Sequence, residues 1–402
     1  NALGSVDAHL LTLMPYLATL ATGAAKHTHA NVYAVIDHTE TWRDHIWYDE
    51  FVDTIILRDG TPREWTDHDA VEACVFLQRL VKMDHVTPSI LHAAVNAYCR
   101  RFRRRHVIRD WYDGLVWDGA PRLERAFEVY WGVEYSDRMP EAYVRAASQN
   151  FFVGMVARIY QPGCQLDNMV VFEGPQGIGK SSALRIVGGD YYVQQSESVT
   201  SKDFFQTLRG KQLVEIGELD SFGRAETTRV KTVVTTPVDH YRESYGRVSL
   251  AHPRQCVFAG TTNRNDWVSD DTGARRFWPI RCTAIDRGGL TEDRAQLFAE
   301  AVALFHAGQP WWEAPSGLTT QVQNDRYELH AWSDKILSWA TFQSVVTIAD
   351  VLTLCLDVPI GQITRTQQHD VASILRKGGY EKRRRMQDGA MRWGWYHDEG
   401  RI

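Results

Sequence analysis

One segment in the middle of the chain constrains its fold more than any other. The apolar run Met169–Glu173 leads directly into residues 174–181, Gly-Pro-Gln-Gly-Ile-Gly-Lys-Ser, which match the pattern G-x-x-x-x-G-K-[ST] in full. Glycines let the backbone curl so that successive N–H groups face phosphate oxygens. Lys180 would place a cation near the β- and γ-phosphates of ATP, and the Ser181 hydroxyl would ligate Mg²⁺. The pattern therefore predicts a strand, a phosphate-binding loop and a helix, with ATP and Mg²⁺ as cofactors.

A continuous stretch around this loop is the predicted nucleotide site. The alternative interpretation is a glycine-rich turn that binds no ligand. It is the weaker one, because the motif matches in full and a helix is expected at Ser182–Val187. The residues expected to bind the nucleotide are Gly174, Pro175, Gln176, Gly177, Ile178, Gly179, Lys180, Ser181 and Ser182.

A second strand, Lys211–Asp220, ends in carboxylates. In sheets with a phosphate-binding loop such a strand lies beside the loop, and its terminal acid holds Mg²⁺ or polarises the attacking water. Glu218 is the first candidate because it follows the apolar run directly; Asp220 is the second and Glu215 the third. We expect Ser181, Glu218 and Asp220 at the metal. The alternative is a solvated acidic loop.

Two further segments complete the predicted catalytic set. The apolar run Gln255–Gly260 continues into Thr-Thr-Asn, which would place the Asn263 amide beside the γ-phosphate to position water. Arg275 and Arg276 precede the apolar strand Phe277–Ile280 and are candidates for a finger that reaches the nucleotide of a neighbouring subunit. Arg276 is slightly favoured. Read alone, these segments are a polar turn and an exposed charge pair.

Three basic elements are candidates for DNA contact, each with a surface role as its alternative. Alternating residues around Tyr-Gly predict a hairpin over Val238–Leu250, and a basic strand lies near the carboxyl terminus. The run Arg100–His106 is more basic but harder to interpret. The individual residues singled out for DNA or phosphate contact are Lys231, Arg242, Tyr245, Arg247, Lys382, Arg383, Arg384 and Arg385.

The carboxyl-terminal part reads as a winged helix. Two helical patterns, Ile348–Leu356 and Gln367–Lys377, precede two strands joined at Gln-Asp-Gly. Basic residues exceed acidic ones by five between Arg376 and Arg392, and aromatic side chains lie among them. Such a patch suits contact with a duplex phosphate backbone, although a solvated face or a packing surface against the rest of the chain remains open.

Turn signals divide the chain into three expected domains. Trp-Asp-Gly-Ala-Pro at 117–121 and Glu-Ala-Pro-Ser-Gly at 313–317 are the boundaries. We expect an amino-terminal mixed α/β region at 1–118, a helical lead-in with an α/β ATPase domain at 119–314 and a winged helix at 315–402. In the first of these, strands are expected at Asn31–Ile36 and Thr54–Leu57 and helices at Asp67–Lys82 and Ser89–Arg101.

Composition narrows the setting in which the chain works. The 402 residues carry a formal charge of −5, and no apolar run reaches the roughly 18–20 residues of a membrane span. The segment Ala2–Leu20 lacks a basic start and contains Asp7, which argues against a signal peptide. The six cysteines are scattered without a C-x-x-C pair, which fits a reducing cytoplasm and gives no zinc signature.

Taken in order, these motifs resemble the virulence-associated protein E family, phage- and satellite-encoded relatives of superfamily 3 helicases. The resemblance covers roughly residues 115–315, whereas the first hundred residues and the winged helix match only loosely. The segments that carry it are 117–123, 162–167, 173–182, 215–220, 229–231, 239–242, 253–258, 260–263 and 272–279.

The resemblance implies an AAA+-like P-loop core of the superfamily 3 helicase type, assembled as a homo-oligomeric ring that is expected to be hexameric. It implies ATP and Mg²⁺ on Lys180 and Ser181, Glu218 as the catalytic acid, Asn263 as the sensor and Arg276 as the finger. Many relatives carry a primase upstream, but this sequence shows no paired metal-binding carboxylates of that kind.

We therefore expect an ATP-dependent DNA helicase or translocase in the replication of a phage, prophage or satellite element. Its partners would be single-stranded DNA in the channel, duplex DNA at the winged helix, and a primase or replication initiator. Two alternatives stay open. One is a P-loop ATPase without unwinding activity, acting as a loader or a phage-interference factor. The other is a DNA-binding module whose ATPase only controls assembly.

Overall fold

The computed structural model describes most of the chain. The described residues are 12–195, 202–219, 224–242, 249–264, 267, 276–313, 317–319, 322, 332–387 and 390–397. Four of the residues singled out from the sequence lie outside them: Asp220, Tyr245, Arg247 and Arg275.

The amino-terminal part packs helices on a small mixed sheet of order β3-β2-β1-β4, in which β1 is antiparallel to β2 and parallel to β4. The strand and the two helices expected after residue 50 are confirmed. The elements are α1 (His29–His38), α2 (Glu40–Arg43), β1 (Ile46–Asp49), β2 (Thr54–Asp59), β3 (Thr61–Glu64), α3 (Asp67–Val81), α4 (Pro88–Phe102) and β4 (Arg104–Arg105).

The strand expected at Asn31–Ile36 is wrong, because these residues lie within α1. Val32, Val35 and Ile36 are fully buried, and their spacing places them on one face of a helix. The Thr28 side chain accepts a hydrogen bond from the backbone N–H of Asn31 at 3.3 Å and so caps the first turn. Burial of one helical face therefore outweighs the β propensity of Val and Ile.

The central part alternates helices and strands. Its elements are α5 (Val107–Asp113), α6 (Ala126–Trp131), α7 (Glu141–Tyr160), β5 (Met169–Glu173), α8 (Lys180–Gly188), β6 (Tyr192–Gln195), α9 (Lys202–Thr207), β7 (Leu213–Ile216), α10 (Arg224–Thr235), β8 (Val238–Tyr241), β9 (Leu250–Pro253), β10 (Val257–Thr262), β11 (Phe277–Arg281) and α11 (Arg287–His306).

Five of these strands form a parallel sheet of order β11-β5-β10-β7-β6. Every residue of β5, β7 and β10 is buried, as expected for a parallel sheet covered on both faces. Val170 and Phe172 join the hydrophobic cluster formed with α7 and α11, whereas Met169 and Val171 join the cluster on the opposite face. Strands β8 and β9 pair separately as an antiparallel hairpin.

The amino-terminal part contacts the central sheet at the end where the strands begin. Phe51 is buried, and its ring centroid lies 5.3 Å from that of Tyr191, which precedes β6. Arg209, just before β7, donates from Nε to the Val52 carbonyl at 2.8 Å. His106 Nε2 lies 2.7 Å from the Gln255 amide oxygen ahead of β10. The loop at residues 174–181, predicted to bind phosphate and called the phosphate-binding loop below, lies at the opposite end of the sheet.

The carboxyl-terminal part has its own hydrophobic cluster, which includes Leu352, Val371 and Trp395. The helices expected here and the pair of strands are confirmed, and Val346 forms a bridge to β13 beside Trp395. The elements are α12 (Ser333–Ala340), α13 (Ile348–Asp350) continued by a π-helical turn at Val351–Cys355, α14 (Arg365–Lys377), and the antiparallel strands β12 (Tyr380–Gln387) and β13 (Ala390–His397).

Substitution of two glycines in the helical lead-in can show how tightly this segment packs against the residues that follow β11. Gly132 ends α6 at φ +59°, and a Cβ there would lie 2.8 Å from the carbonyl oxygen of Ala284. Gly119 has φ +84°, but a Cβ there would meet nothing within 4 Å. Gly119→Ala should cost about 1–2 kcal/mol of left-handed strain, and Gly132→Ala about 1–3 kcal/mol more from overpacking. Thermal unfolding should therefore show a lower midpoint for Gly132→Ala, and equal midpoints would contradict the crowding.

Candidate nucleotide site

The loop at residues 174–181 begins where β5 ends and closes where α8 begins. Gly174 has φ +151°, and a Cβ at this position would lie 2.5 Å from the carbonyl oxygen of Cys282. Any other side chain would therefore collide with the backbone that follows β11. The tight approach fixes the start of the loop against the sheet, so that the backbone can curl around a ligand at the carboxyl end of the strands.

Lys180 is held inside this loop. Only 7% of the residue is exposed, and Nζ donates to the carbonyl oxygens of Gly174 at 2.6 Å and Pro175 at 2.9 Å. It also donates to the Asn263 amide oxygen at 3.1 Å. Because Asn263 follows β10, this contact brings together two residues that are 83 positions apart in sequence. A cation and an amide therefore lie side by side at the edge of the sheet.

The carboxyl group of Glu215 is the centre of the site. Glu215 is completely buried in β7, and one of its oxygens accepts from Ser181 Oγ and from Thr261 Oγ1, each at 2.7 Å. The other oxygen accepts from the Tyr192 hydroxyl. Burial and the neighbouring Glu215 carboxyl raise the pKa of Tyr192 well above its ordinary value, so that this hydroxyl keeps its proton. The acid that contacts Ser181 is thus Glu215, the third of the three sequence candidates.

Glu218 occupies a different position. It lies two residues beyond β7, exposed and in a left-handed backbone conformation with φ +53°. Asn263 is likewise exposed immediately after β10. Since β7 and β10 are parallel neighbours, both side chains stand at the edge that carries the phosphate-binding loop. The structure therefore separates a buried acid, bonded to the serine, from an exposed acid at the mouth of the site.

Arg276 lies at the other end of the sheet. It directly precedes β11, and its neighbour Phe277 pairs with Met169, the first residue of β5. The phosphate-binding loop follows Glu173, about 13 Å further along the strand. Lys231 is at the same end: it is 5% exposed, and its Nζ is 5.9 Å from the Phe277 ring centroid. Neither cation is therefore placed beside the loop of its own chain.

Two residues that the sequence did not single out connect these ends. Glu173 is fully buried at the end of β5 and accepts a hydrogen bond from Trp267 Nε1 at 2.8 Å. The ring of Trp267 lies 5.4 Å from that of Phe277, next to Arg276. Tyr192 and Thr261 were missed in the same way. Thr261 lies two positions before the predicted Asn263, whereas no local pattern marks Tyr192 or Trp267.

The exposed residues among the predicted DNA contacts lie in two separate places, at the end of β8 and along β12. Arg242 is exposed immediately after β8. In β12, Lys382, Arg384 and Arg385 are exposed, with Lys382 Nζ 5.5 Å from the ring of the exposed Trp393. Arg383 forms an ion pair with Glu381 at 2.6 Å.

The basic run that begins at Arg100 has partners within its own part of the chain. Arg100 pairs with Asp53 at 3.2 Å and Arg104 with Glu50 at 2.5 Å. Arg103 lies 3.4 Å from an oxygen of Asp44. These pairings favour a local structural role for much of this run.

The described residues show neither a membrane-spanning helix nor a cluster of metal-ligating side chains. None of their helices is long and apolar enough to cross a membrane. Within the same residues, no group of three or more His, Cys, Asp or Glu side chains is placed to hold a metal ion.

Comparison with known proteins adds a family and several similar structures. No curated protein matches the chain. The chain is similar to the apo structure of the NrS-1 C-terminal region (305–718), with 14% identity, 87% of this chain and 95% of that chain covered, and a TM-score of 0.41. The A-form apo structure of the same region gives 13% identity, coverage of 88% and 96%, and a TM-score of 0.37.

A protein-family model matches part of the sequence. Residues 112–330, more than half of the chain, match the virulence-associated protein E-like domain. This range contains the phosphate-binding loop, Glu215, Asn263 and Arg276. The resemblance expected from the sequence motifs is confirmed: the chain belongs to the virulence-associated protein E-like family.

Proposed function

We propose that this protein is an ATP-hydrolysing motor that moves or unwinds DNA during replication of a phage, prophage or satellite element. The observation that carries the proposal is the meeting of Lys180, Asn263 and the Ser181–Glu215 pair at one edge of a parallel sheet. If the five strands are renumbered 1 to 5 by their order in the chain, from β5 to β11, they lie side by side in the sheet as 5-1-4-3-2. This is the order expected of an AAA+-like P-loop core. Family membership supports the replication setting.

The residues present fit ATP and Mg²⁺. Hydroxyl and carboxylate oxygens are the ligands that Mg²⁺ prefers, and Ser181 and Glu215 supply them within hydrogen-bond distance of each other. Bound ATP supplies the phosphoanhydride bond whose hydrolysis drives movement. Lys180 would exchange its carbonyl partners for phosphate oxygens, Glu218 would orient and deprotonate water, and Asn263 would hold that water in line. Tyr192 and Thr261 would keep Glu215 in place.

We also propose a ring of identical subunits, with six as the number that the family resemblance implies, and the position of Arg276 supports a site shared between subunits. An arginine at the amino end of β11 lies too far from the loop of its own chain to act there, so its proposed target is the nucleotide of an adjacent subunit. Lys231, buried near the same end, is proposed to support that interface rather than to bind DNA directly.

The other parts of the chain are proposed to serve the DNA. We divide the chain into an accessory region at 1–118, an ATPase at 119–314 and a winged helix at 315–402. The β8–β9 hairpin would line the channel for a single strand, with Arg242 at its exposed end. The cations of β12, together with Trp393, would contact duplex DNA. A primase or replication initiator is a further proposed partner.

Removal of the loop lysine is the direct test of ATP hydrolysis. Lys180→Ala should abolish measurable ATP turnover, because the lysine acts on the β- and γ-phosphates. The thermal unfolding midpoint of the nucleotide-free variant should stay within a few degrees of the wild-type value. Lys335→Ala, an exposed lysine in α12, is the matched control and should leave turnover unchanged. A folded Lys180→Ala protein with near-normal turnover would remove ATP from the mechanism. A strand-displacement assay of the wild type then distinguishes a helicase from an ATPase without unwinding activity.

Substitutions of Glu215 and Glu218 should impair ATP hydrolysis in different ways. Glu215→Gln weakens the metal ligand beside Ser181, so half-maximal hydrolysis should require severalfold more Mg²⁺. Glu218→Gln should bind ATP and Mg²⁺ normally but lose on the order of 10²-fold or more in turnover, because it removes the base at the water. Magnesium titrations of hydrolysis and of fluorescent-nucleotide binding measure both. Identical Mg²⁺ dependence in the two variants would argue against these separate roles.

The shared site can be tested by mixing two inactive variants. Arg276→Ala should bind ATP but hydrolyse it about 10³–10⁵-fold more slowly, since a finger acts mainly on the transition state. In rings that mix Arg276→Ala with Glu218→Gln subunits, some interfaces regain both an intact acid and an intact arginine. Activity should therefore rise above that of either variant alone. Mixed rings that form, as judged by native mass spectrometry, and stay inactive at every ratio would exclude a site shared between subunits.

A further inference from the structure

A cleft separates the amino-terminal part of the chain from the β8–β9 hairpin. This junction cleft has a volume of about 680 Å³ and lies at the end of the sheet where β7 and β10 begin, opposite the phosphate-binding loop. Its walls come from four places in the sequence: the segment around β1, the end of α4 with β4, the end of α9 with the turn that follows it, and the base of the β8–β9 hairpin.

The junction cleft is positively charged although the chain as a whole carries a charge of −5. Among the described residues that line it, the acids Glu50, Asp53 and Asp239 face five lysines and arginines. Each acid already has a partner: Glu50 pairs with Arg104, Asp53 with Arg100, and Asp239 with Arg254. The five cations are Arg100, Arg104, Arg209, Lys211 and Arg254.

Two of the five cations, Arg209 and Lys211, are left once these three ion pairs are counted. Arg209 uses Nε to bind the Val52 carbonyl and lies 3.8 Å from Asp53, so it also fixes the contact between the two parts of the chain. Lys211 is half-buried at the wall, and no carboxylate within the described part of the chain forms an ion pair with it. A cation held at the wall of a cleft without an acidic partner is suited to an anionic ligand.

The same cleft presents flat aromatic surface. Tyr241 in β8 and His252 in β9 face each other across the hairpin, with ring centroids 4.0 Å apart and planes inclined by 13°. Both rings are partly exposed and line the cleft. On the opposite wall, the Arg100 guanidinium lies 4.1 Å from the Tyr48 ring centroid. Planar side chains beside cations are what proteins use to stack bases while neutralising the phosphate backbone.

We propose that the junction cleft binds one or two nucleotides of single-stranded DNA, with Lys211 on a phosphate and the Tyr241–His252 pair stacked on a base. The volume of the cleft suits a segment of that size and excludes a duplex. Arg242, exposed directly after Tyr241, extends the cationic path along the hairpin. The inference rests on the proposed action on DNA, but it assigns a site distant from the nucleotide and involves the amino-terminal part.

The binding test uses full-length protein without nucleotide and a fluorescent oligothymidylate, followed by anisotropy across a salt titration. Lys211→Ala should weaken binding and lower the slope of log affinity against log salt by about 0.7, one phosphate contact to a single strand. His252→Ala should weaken binding about fivefold or more with little change in slope, because stacking is not ionic. Lys26→Ala, an exposed lysine of the amino-terminal part, is the matched control and should change neither quantity.

A second measurement locates the strand without any substitution. Wild-type protein is irradiated with oligothymidylate containing 4-thiothymidine, and the crosslinked peptides are identified by mass spectrometry. The proposal expects crosslinks on the walls of the cleft, at Tyr241 or His252. Crosslinks confined to other surfaces, or unchanged affinity and slope in both cleft variants, would overturn it.

The outcome is separable from that of the proposed ATPase. Basal hydrolysis should survive Lys211→Ala and His252→Ala, since both residues lie at the end of the sheet remote from Lys180. A wild-type protein that binds the oligonucleotide but never hydrolyses ATP would contradict the motor and leave the cleft standing. Tight binding of free thymidine monophosphate, undiminished by an excess of oligothymidylate, would identify a mononucleotide pocket and overturn the single-strand assignment.

Discussion

A carboxyl group inside a parallel sheet is costly unless its oxygens are hydrogen-bonded, and Glu215 meets this requirement with three hydroxyl donors. The donors come from Ser181, Tyr192 and Thr261, which belong to α8, β6 and β10. The Glu215 carboxyl therefore ties the helix after the phosphate-binding loop to strands on either side of β7. Any shift of the loop would leave part of a buried carboxyl unpaired, so the site is held in shape before a ligand arrives.

Because the five strands are parallel, the two ends of the sheet carry different features. The carboxyl ends of β5, β7 and β10 carry the proposed nucleotide site, whereas the amino ends carry the contact with residues 50–53, the junction cleft and Arg276. A change at one end must pass through packed side chains to reach the other. Trp267 contacts residues of both ends, because its Nε1 donates a hydrogen bond to Glu173 and its ring packs on Phe277. Its side chain therefore packs between the end of β5 and the start of β11.

Local patterns predicted most of the fold, since the strands of the parallel sheet are continuous apolar runs and the main helices have apolar residues at helical spacing. They failed at α1, where burial of Val32 and Ile36 in a helix overrides β-branched composition. The site shows the same division. Lys180 and Ser181 belong to a contiguous motif, but the choice between Glu215 and Glu218 depends on contacts with residues more than 20 positions away. Tyr192 has no local signature for that reason.

The basic run from Arg100 to Arg105 and the isolated Lys211 differ in their acidic neighbours. The run from Arg100 to Arg105 looks like a nucleic-acid patch, yet Arg100, Arg103 and Arg104 each lie beside a carboxylate of the same part of the chain. Pairing of this kind removes much of the field that a phosphate would experience. The isolated Lys211 has no such partner among the described residues, and it sits in a concave wall beside stacked rings. Because attraction depends on what remains unpaired after folding, a single lysine without an acidic partner can attract a phosphate more strongly than an arginine already paired with a carboxylate.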